Sequence, residues 1–351
     1  MLHPVMRTGE GWMRALARGA AGVTVVAAAL GPAAVQAGVA RTNAHDYYHL
    51  QKGEREYDSV AKINLSGTGG DGICSGVLIA PKIILTAGHC IVSPGVGTLQ
   101  SATVEIGGKT YEARKWAIHP KWRGTNLTDG TDLAMIRLDR PVTNVGASPY
   151  ALAGNEQDKK ATSVGFGAGG NGDVGYFTPA GSKRAGENII DFIEGPKKRV
   201  LLYDFDGPGQ IITNPAKDYP LALEYIAAPG DSGGGLFVGS RLVGITSFLL
   251  GLEDGSADGT FRDYAGYTRV QKHWRWIRKT QRGLLRNRPG TFGTPGNPLP
   301  EGTVGTFQQT WKGAPVAPLL AMNATAVPEP TSAVVLLTGA ALLLRRRARS
   351  A

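Results

Sequence analysis

Cysteine is scarce in this chain, which has only Cys74 and Cys90 among 351 residues. The sequence also lacks a cluster of His, Cys, Asp and Glu with metal-ligand spacing, and it has no internal repeat. Its glycine-rich stretch at residues 167–172 is not followed by Lys-Ser or Lys-Thr, so it predicts a turn-rich loop and not a phosphate-binding loop. We therefore predict neither a metal nor a cofactor.

Long amphipathic helices are missing before Val270. Instead, 50 glycines and 21 prolines separate many short apolar runs, which is typical of β-strands joined by frequent turns. Residues 103–106 and 111–114 flank the sequence GGKT, which predicts a hairpin.

Three short motifs carry most of the chemical information. They are TAGHC at residues 86–90, TDLA at residues 131–134 and GDSGG at residues 230–234. A serine hydroxyl needs an imidazole to accept its proton, and the imidazole needs a carboxylate that fixes its tautomer. Glycines beside the serine let backbone N–H groups approach a developing oxyanion. The motifs thus supply a base, an orienting acid and a nucleophile.

With these motifs in this order, residues 59–280 resemble the trypsin-like, chymotrypsin-fold serine proteases. The sequences SGVLI at 75–79, VGFG at 164–167, GITSF at 244–248 and YTRV at 267–270 are similar to further family strands. The resemblance implies an all-β fold of two six-stranded antiparallel β-barrels, with the active site between them and a C-terminal helix. It also implies a serine endopeptidase that hydrolyses a protein or peptide substrate through an acyl-enzyme.

The resemblance assigns a role to each motif. His89 is the general base, Ser232 is the nucleophile, and the N–H groups of Gly230 and Ser232 form the oxyanion hole. Asp132 is the orienting acid, because the apolar run at 133–136 follows it directly, whereas Asp129 and Asp139 lack this context.

The resemblance also pairs Cys74 with Cys90 across the strands that present His89. An even number of cysteines in an exported chain is expected to be oxidised. Two reduced thiols are the alternative.

Six residues are predicted to bind substrate. Alignment with the resembled family, counted backwards from Ser232, implies that Ile226 lies at the base of the primary pocket, where cleavage after Lys or Arg would require a carboxylate. A narrowed apolar pocket predicts cleavage after small or medium aliphatic residues. The six residues are Ile226, Ala227, Ser247, Phe248, Leu249 and Ala265.

The activation motif of the family is missing. Trypsin-like zymogens usually expose an Ile or Val followed by two glycines, whose ammonium pairs with the aspartate before the nucleophile, here Asp231. No such motif precedes Cys74 at the expected distance. Either another group satisfies Asp231, or cleavage occurs at an unusual place such as after Arg55.

The composition divides the chain into five parts. Residues 1–37 predict a signal peptide cut after Ala37, or alternatively after Ala40, and a buried N-terminal helix is the other interpretation. Residues 38–58 are an extension or pro-segment, in which His49 is expected to be solvated. The protease domain covers 59–283, and a Pro/Gly-rich linker covers 284–326. Within that linker, residues 316–322 alternatively pack onto the protease as an extra strand.

Residues 327–351 resemble the PEP-CTERM sorting tail of Gram-negative bacteria. Their apolar stretch at 333–344 makes a helix of about 18 Å, short of a hydrocarbon core of about 30 Å. The resemblance implies processing by signal peptidase and an exosortase, a transient inner-membrane anchor, and a cell-surface or extracellular location. A permanent C-terminal membrane anchor is the alternative.

The net charge of +10 is concentrated locally. Seven basic residues at 272–288 suggest an anionic surface polymer as a partner, or simply a solvated face. Nucleic acid is not an expected partner of an exported protein.

Two other functions are compatible with parts of the sequence. GDSGG also satisfies the nucleophile-elbow pattern of esterases, which would leave His273 as the only base after the serine. A non-enzymatic surface or matrix-binding module is the second alternative. The sequence does not indicate an oligomeric state.

Overall fold

A pair of glycines forms the hairpin turn that the sequence predicts. Gly107 and Gly108 adopt φ values of +57° and +71°, and they join strands 97–106 and 109–118. Two-residue hairpin turns of this kind need positive φ at both positions, which glycine adopts without steric cost.

The computed structural model describes residues 38–41, 46–93, 96–124, 126–208, 219–252, 254–286 and 292–295, and the backbone of 309–311, 314–318 and 321–322. These residues form mainly strands. The strands are β1 Gly38–Ala40, β2 Val60–Gly67, β3 Gly70–Ala80, β4 Ile83–Thr86, β5 Val92–Ser93, β6 Gly97–Ile106, β7 Lys109–Ile118, β8 Ala134–Leu138, β9 Lys160–Gly165, β10 Gly169–Asn171, β11 Gly175–Thr178, β12 Arg184–Ile189, β13 Phe192–Glu194, β14 Val200–Asp204, β15 Tyr225–Ile226, β16 Gly235–Val238, β17 Arg241–Leu250, β18 Tyr264–Arg269, β19 Gln309–Trp311, β20 Ala314–Pro318 and β21 Ala321–Met322. The helices are α1 Asp46–Glu56 and α2 Trp274–Leu285, and 3₁₀ turns cover Gly88–Cys90, Leu127–Asp129 and Val270–His273.

Six strands close into the first barrel. Their order is β2-β3-β4-β8-β7-β6, and β6 pairs back with β2, with Ile63 opposite Val104. Strand residues such as Val77, Leu85 and Ile136 have no exposed surface. Closure leaves no unpaired edge, so apolar side chains on the inner face fill the interior.

The second half is an antiparallel sheet in the order β12-β9-β16-β17-β18-β14-β13. β12 and β14 approach each other although they are far apart in this order: the N–H of Asp191, just after β12, donates to the carbonyl of Leu202 on β14 at 3.0 Å. A smaller sheet has the order β11-β10-β1-β15. The all-β, chymotrypsin-like fold predicted from the sequence is confirmed.

The C-terminal helix returns to the first barrel. Ile277 and Leu284, two turns apart on α2, are fully buried in the same apolar cluster as that barrel's core. Basic residues of this segment lie on its outer side and keep solvent contact: Lys272, Arg275, Arg278, Lys279, Arg282 and Arg286. Of the helices in the described ranges, neither has the length and apolar character needed to span a membrane.

The segment predicted as an N-terminal extension contributes β1 and α1. His49 on α1 is fully buried, and its Nδ1 lies 3.0 Å from the carbonyl oxygen of Ala185 on β12. The prediction that His49 is solvated is therefore wrong, because α1 packs on β12. The predicted linker likewise contains β19, β20 and β21, while both predicted sorting segments, 1–37 and 327–351, lie outside the described residues.

Candidate active site

His89 is held on a short turn at the end of an entirely buried strand. β4 runs through Ile83–Thr86, and the 3₁₀ turn Gly88–Cys90 follows it. A disulfide joins Cys90 to Cys74 on β3, as the resemblance implied. In the chain-entropy model, a bridge across a loop of this size contributes about 3 kcal/mol. The bridge fixes the turn that carries the imidazole.

The three motif residues meet without solvent contact. The His89 Nδ1–H donates to Oδ2 of Asp132 at 2.6 Å, and the backbone N–H of His89 donates to Oδ1 at 2.8 Å. The Ser232 hydroxyl donates to His89 Nε2 at 2.6 Å. All three residues are fully buried. This arrangement lets the imidazole accept the serine proton while the carboxylate holds its tautomer.

Two side chains of the second sheet support Asp132. The Ser247 hydroxyl donates to Oδ2 at 2.5 Å, and the Thr268 hydroxyl donates to the backbone carbonyl at 3.2 Å. The pairing of β17 with β18 is irregular between Thr246 and Phe248, and Ser247 lies at this irregularity. Ser247 thus contacts the triad through its hydroxyl, a role that the sequence reasoning missed.

The competing aspartates lie elsewhere. Asp139 accepts hydrogen bonds from the guanidinium of Arg140 and the N–H of Glu112, and these bonds hold its pKa below the usual value although burial opposes them. Asp129 belongs to the 3₁₀ turn Leu127–Asp129. The structure thus brings Asp132, and neither alternative, to His89.

The nucleophile stands on a tight glycine-flanked loop. Gly230 and Gly233 have φ values of +103° and +82°. A Cβ on Gly233 would lie 2.0 Å from Thr86 Oγ1 and 2.3 Å from the carbonyl oxygen of Ser75. Within the described part of the chain, the N–H groups of Gly230 and Ser232 donate to no other group.

Ser75 links this loop to the first barrel. Its hydroxyl donates to the carbonyl of Gly230 at 2.9 Å and accepts from the N–H of Phe166 at 2.9 Å. Its backbone N–H donates to the carbonyl of Ser232 at 2.7 Å. The sequence reasoning missed this residue, and the available signal was a hydroxyl directly after Cys74, in a strand whose other residues after Asp71 are glycine or apolar.

Asp231 finds its partners within the fold. Its carboxylate accepts from the N–H of Gly167 at 2.7 Å, the N–H of Ala228 at 2.9 Å and the hydroxyl of Tyr225 at 3.2 Å. Burial nevertheless raises the pKa of Asp231 to about 6, because complete desolvation outweighs these bonds. Of the two sequence alternatives, satisfaction by other groups is the arrangement observed.

β1 lies against this aspartate site. Val39 pairs with Ile226 of β15 and with Gly170 of β10, and it is fully buried. Gly38 has φ +69°, and a Cβ there would lie 1.8 Å from the Tyr225 hydroxyl. The first described residue of the chain therefore adjoins the tyrosine that bonds to Asp231.

Four predicted pocket residues share one buried apolar cluster. Ile226, Ala227, Leu249 and Ala265 belong to it, and Leu249 lies directly opposite Ala265 in the β17–β18 pairing. Phe248 packs instead into a second cluster with Trp122. The six predicted residues thus divide between the apolar pocket cluster, the Trp122 cluster and, for Ser247, the triad.

A tyrosine pair in the same apolar cluster was not predicted. The hydroxyls of Tyr203 and Tyr267 are 2.5 Å apart, and that of Tyr267 donates to Ser163 at 3.0 Å. Burial raises the pKa of both phenols, that of Tyr203 well above its usual range. Neither tyrosine stands in a recognisable motif.

His119 and His273 form a separate pair. The Nε2–H of His273 donates to the carbonyl of Gly130 at 2.8 Å, and its Nδ1 lies 3.3 Å from Nε2 of His119. His273 is therefore engaged away from Ser232, which removes the geometry that an esterase mechanism requires. Among the described residues, no group of three or more His, Cys, Asp or Glu side chains is suited to a metal ion.

A closed six-stranded barrel that meets a second antiparallel sheet at a buried Ser–His–Asp arrangement defines the chymotrypsin-like class. The trypsin family model matches residues 51–187 and 209–277. The chain therefore belongs to the trypsin family, and its homologues support a serine-type peptidase function.

The relatives come from animals and bacteria. Trypsin iota of Drosophila melanogaster is 30% identical over 199 residues, which cover 55% of this chain and 74% of the relative. An uncharacterised peptidase of Corynebacterium glutamicum (strain R) is 24% identical over 226 residues, covering 63% and 66% of the two chains. A solved structure of HL collagenase has a TM-score of 0.47 and 20% identity, covering 64% of this chain and 94% of that one.

Proposed function

We propose that this protein is an exported serine endopeptidase that works through a His89–Asp132–Ser232 triad and an acyl-enzyme. The observation that carries the proposal is the 2.6 Å contact between Ser232 Oγ and His89 Nε2, aligned with the 2.6 Å contact between His89 Nδ1 and Asp132. Both contacts fall within the range for proton transfer.

The reaction follows from this geometry. Ser232 Oγ attacks the peptide carbonyl as its proton moves to His89 Nε2, and the imidazolium is stabilised by Asp132. His89 then gives the proton to the leaving amine. Water, activated by the same imidazole, hydrolyses the ester and regenerates the serine.

The oxyanion hole is assigned to the N–H groups of Gly230 and Ser232. Their availability as donors supports this role, and so does the positive φ of Gly230, which a side chain would strain. One such donor contributes roughly 3 to 4 kcal/mol to lowering the barrier.

The primary pocket is proposed to accept small or medium aliphatic side chains. Ile226, Ala227, Leu249 and Ala265 share one apolar cluster, and none of them offers a charge to a Lys or Arg side chain. A digest of a peptide library is expected to show cleavage mainly after residues such as Val, Leu or Ala. Dominant cleavage after Arg, Lys or Glu would contradict this specificity.

Export is proposed to create the N-terminus at Gly38, through signal-peptidase cleavage after Ala37. The family resemblance associates an inserted ammonium with Asp231, and Gly38 adjoins Tyr225, which bonds to that carboxylate. N-terminal sequencing of the exported protein is expected to begin Gly-Val-Ala, whereas a start at Glu56 would indicate cleavage after Arg55. The C-terminal tail is proposed to direct the protein to the surface of a Gram-negative cell through an exosortase.

Labelling with a fluorophosphonate tests the catalytic proposal. The wild type is expected to be modified at Ser232, and Ser232→Ala is expected to lose the label. Ser59→Ala is the matched control, because the Ser59 hydroxyl bonds to Ser148 away from the triad and its loss should leave labelling intact. A folded wild type that resists the probe would favour the non-enzymatic binding module.

A further inference from the structure

Tyr225 is the side chain that the fold places against the carboxylate of Asp231. It lies on β15 and is fully buried, and its hydroxyl donates to Asp231 Oδ2 at 3.2 Å. Among the residues that the structure describes, the other two donors to this carboxylate are backbone N–H groups, those of Gly167 and Ala228. Burial raises the pKa of Tyr225 well above its usual range, so the hydroxyl keeps the proton that it donates.

Asp231 lies inside the nucleophile loop, residues 230–234. It stands between Gly230 and Ser232, whose N–H groups are the proposed oxyanion donors. Its backbone also closes the loop, because its carbonyl accepts from the N–H of Gly234 at 2.8 Å. Whatever fixes the Asp231 side chain therefore helps to fix the direction of both proposed donors.

Strand β1 lies on the hydroxyl end of the Tyr225 ring. Ala40 pairs with Tyr225, and Val39 pairs with Ile226, in the β1–β15 ladder. Gly38 has φ +69°, and a Cβ there would lie 1.8 Å from the Tyr225 hydroxyl oxygen and 2.1 Å from the ring carbon Cζ. The backbone of β1 therefore blocks movement of the ring in this direction.

Helix α1 contacts the same ring through a buried histidine. The ring centroids of His49 and Tyr225 are 5.6 Å apart, and both side chains are fully buried. His49 Nδ1 lies 3.0 Å from the carbonyl oxygen of Ala185 on β12. A Cβ added to Gly186, the next residue of β12, would lie 2.1 Å from the Cβ of Tyr225. Tyr225 is thus in contact with β1, α1 and β12 at once.

Two further contacts fix α1 on β12. Lys52 forms an ion pair with Glu187 at 3.2 Å. Gly53 lies so close to β12 that an added Cβ would be 2.9 Å from the backbone of Arg184. Loss of β1 and α1 would therefore uncover the tyrosine ring and its bond to the buried carboxylate.

We propose that Tyr225 is a positioning residue for the nucleophile loop and that the N-terminal segment, residues 38–56, holds it in place. The segment is then a working part of the peptidase, and not a pro-segment whose removal activates it. The inference deepens the proposed serine peptidase function and rests on it.

The expected effect of losing the tyrosine hydroxyl follows from the burial of Asp231. A buried carboxylate that loses a donor must turn toward another donor or take up a proton, because an unsatisfied buried charge is costly. Either response alters the nucleophile loop and the direction of the Gly230 and Ser232 N–H groups. Such donors act mainly on the transition state, so their misalignment lowers kcat and leaves KM nearly unchanged. A merely structural loss would instead lower the number of active sites and leave kcat per site unchanged.

Peptide hydrolysis by a Tyr225→Phe variant, with active sites counted by fluorophosphonate labelling, tests the positioning role. Removing one oxyanion donor costs about 10²- to 10³-fold in kcat, so misaligned donors should lower kcat per active site at least about 10-fold, with KM within about two-fold of wild type. Tyr111→Phe is the matched control and should keep the wild-type kcat, because Tyr111 is a buried tyrosine of the first barrel whose ring packs against Arg140. An unchanged kcat in Tyr225→Phe would overturn the proposal.

Two substitutions on α1 test the role of the N-terminal segment. Gly53→Val places a side chain against the backbone of Arg184 and should displace α1, so we expect the same fall in kcat at a nearly constant KM. Glu54→Val is the matched control, because Glu54 is the next residue of the helix and is exposed, and it should keep the wild-type kcat. A Gly53→Val enzyme with the wild-type kcat would contradict the role of the segment.

Removal and return of the segment give a measurement that does not depend on substitutions. The folded protein is cut briefly with an arginine-specific protease, and residues 38–55 are separated by gel filtration in mild urea. Molecules that are cut only after Arg55, identified by mass spectrometry, should react with the fluorophosphonate at least about 10-fold more slowly than the intact chain. A synthetic peptide of residues 38–55 should restore the rate. An unchanged or faster rate after loss of the segment contradicts the proposal, and a faster one would identify a pro-segment.

The wild type, assayed in the same experiments, separates this inference from the proposed function. A wild type that labels at Ser232 and cleaves the peptide, together with unaffected Tyr225→Phe and Gly53→Val variants, contradicts the positioning role and leaves the peptidase function standing. A folded wild type that neither labels nor cleaves contradicts both.

Discussion

At the scale of single residues, Gly233 shows how tightly the nucleophile loop is packed between the two halves. It combines a positive φ of +82° with contacts that leave no room for a methyl group. Gly239, in the turn between β16 and β17, has a similar φ of +58°, but a Cβ added there would meet nothing within 4 Å. Alanine substitutions at Gly233 and Gly239 therefore distinguish the energetic cost of backbone strain from that of steric crowding.

Gly233→Ala is expected to destabilise the fold by about 1 to 3 kcal/mol of overpacking in addition to about 1 to 2 kcal/mol of left-handed strain. Gly239→Ala should lower the free energy of unfolding only by the left-handed backbone strain. Urea unfolding of both variants measures the difference, and fluorophosphonate labelling should be lost only in Gly233→Ala. Equal losses of stability would show that crowding at Gly233 relaxes without cost.

The residues that sequence could predict are those with an intact local motif. His89, Asp132 and Ser232 each stand in a short characteristic pattern, and the structure brings them together. Ser75 and the Tyr203–Tyr267 pair have no such pattern, and the hydroxyl groups of Ser75 and Tyr203 have partners that lie 64 to 155 positions away along the chain. Their importance depends on three-dimensional contacts that a single sequence does not encode locally.

At the scale of elements, three short segments that the sequence assigned to an extension or a linker form β-strands in the structure. β1 has three residues, β20 five and β21 two, and each completes the backbone hydrogen bonding of a neighbouring strand. Since such segments are too short for a hydrophobic period, composition alone predicts an extension or a linker. The long hairpin β6–β7 was predictable, because its turn glycines and alternating residues agree.

The His119–His273 pair couples the turn before α2 to the loop that carries Asp132. His273 bonds to the carbonyl of Gly130, two residues before Asp132. Burial lowers the pKa of His119 to about 3 and that of His273 to about 4, and the positive charges of Arg199 and Lys121 act in the same direction. Both rings are therefore neutral in the folded protein at neutral pH.

This pair predicts a loss of stability in acid. Below about pH 6.5 the unfolded chain binds protons at both histidines, whereas the folded chain does not until about pH 4, so the free energy of unfolding falls as the pH drops through that window. Each histidine contributes up to about 1.4 kcal/mol per pH unit. The comparison is made by urea unfolding at pH 7.5, 6 and 5, with a His119→Gln/His273→Gln double variant.

The double variant removes these two titrations while leaving the buried carboxyl groups in place. The stability advantage of wild type over the variant should therefore shrink as the pH falls from 6.5 to 5. An advantage that stays constant over that range would mean that the two rings take up protons equally in the folded and unfolded states.

At the scale of the whole molecule, the candidate site lies at the boundary between the first barrel and the second half of the fold. The first barrel supplies His89 and Asp132, and the second half supplies Ser232 together with Ser247 and Thr268. The family resemblance predicted this division, whereas composition predicted only a β-rich chain. The closing pair β2–β6 could not be derived from composition, because strand partners across a barrel are set by long-range packing.

Ser75, on the first barrel, forms hydrogen bonds across this boundary to the second half. It is fully buried, and its hydroxyl bridges the carbonyl of Gly230 and the N–H of Phe166 across the boundary. Ser75→Ala leaves both groups without this partner. Since each unsatisfied buried group costs about 1 to 3 kcal/mol, we expect the loss of both bonds to lower the free energy of unfolding by about 2 to 6 kcal/mol.

The same substitution should slow the reaction, because Gly230 begins the loop that presents the Ser232 hydroxyl and the proposed oxyanion donors. The rate of fluorophosphonate labelling under folding conditions measures this effect separately from stability. Ser101→Ala, at an exposed position of β6, is the control and should change stability by less than about 0.5 kcal/mol. If Ser75→Ala matches that control in both measurements, the two halves must be held in register by their backbone contacts alone, such as the bond from the Ser75 N–H to Ser232.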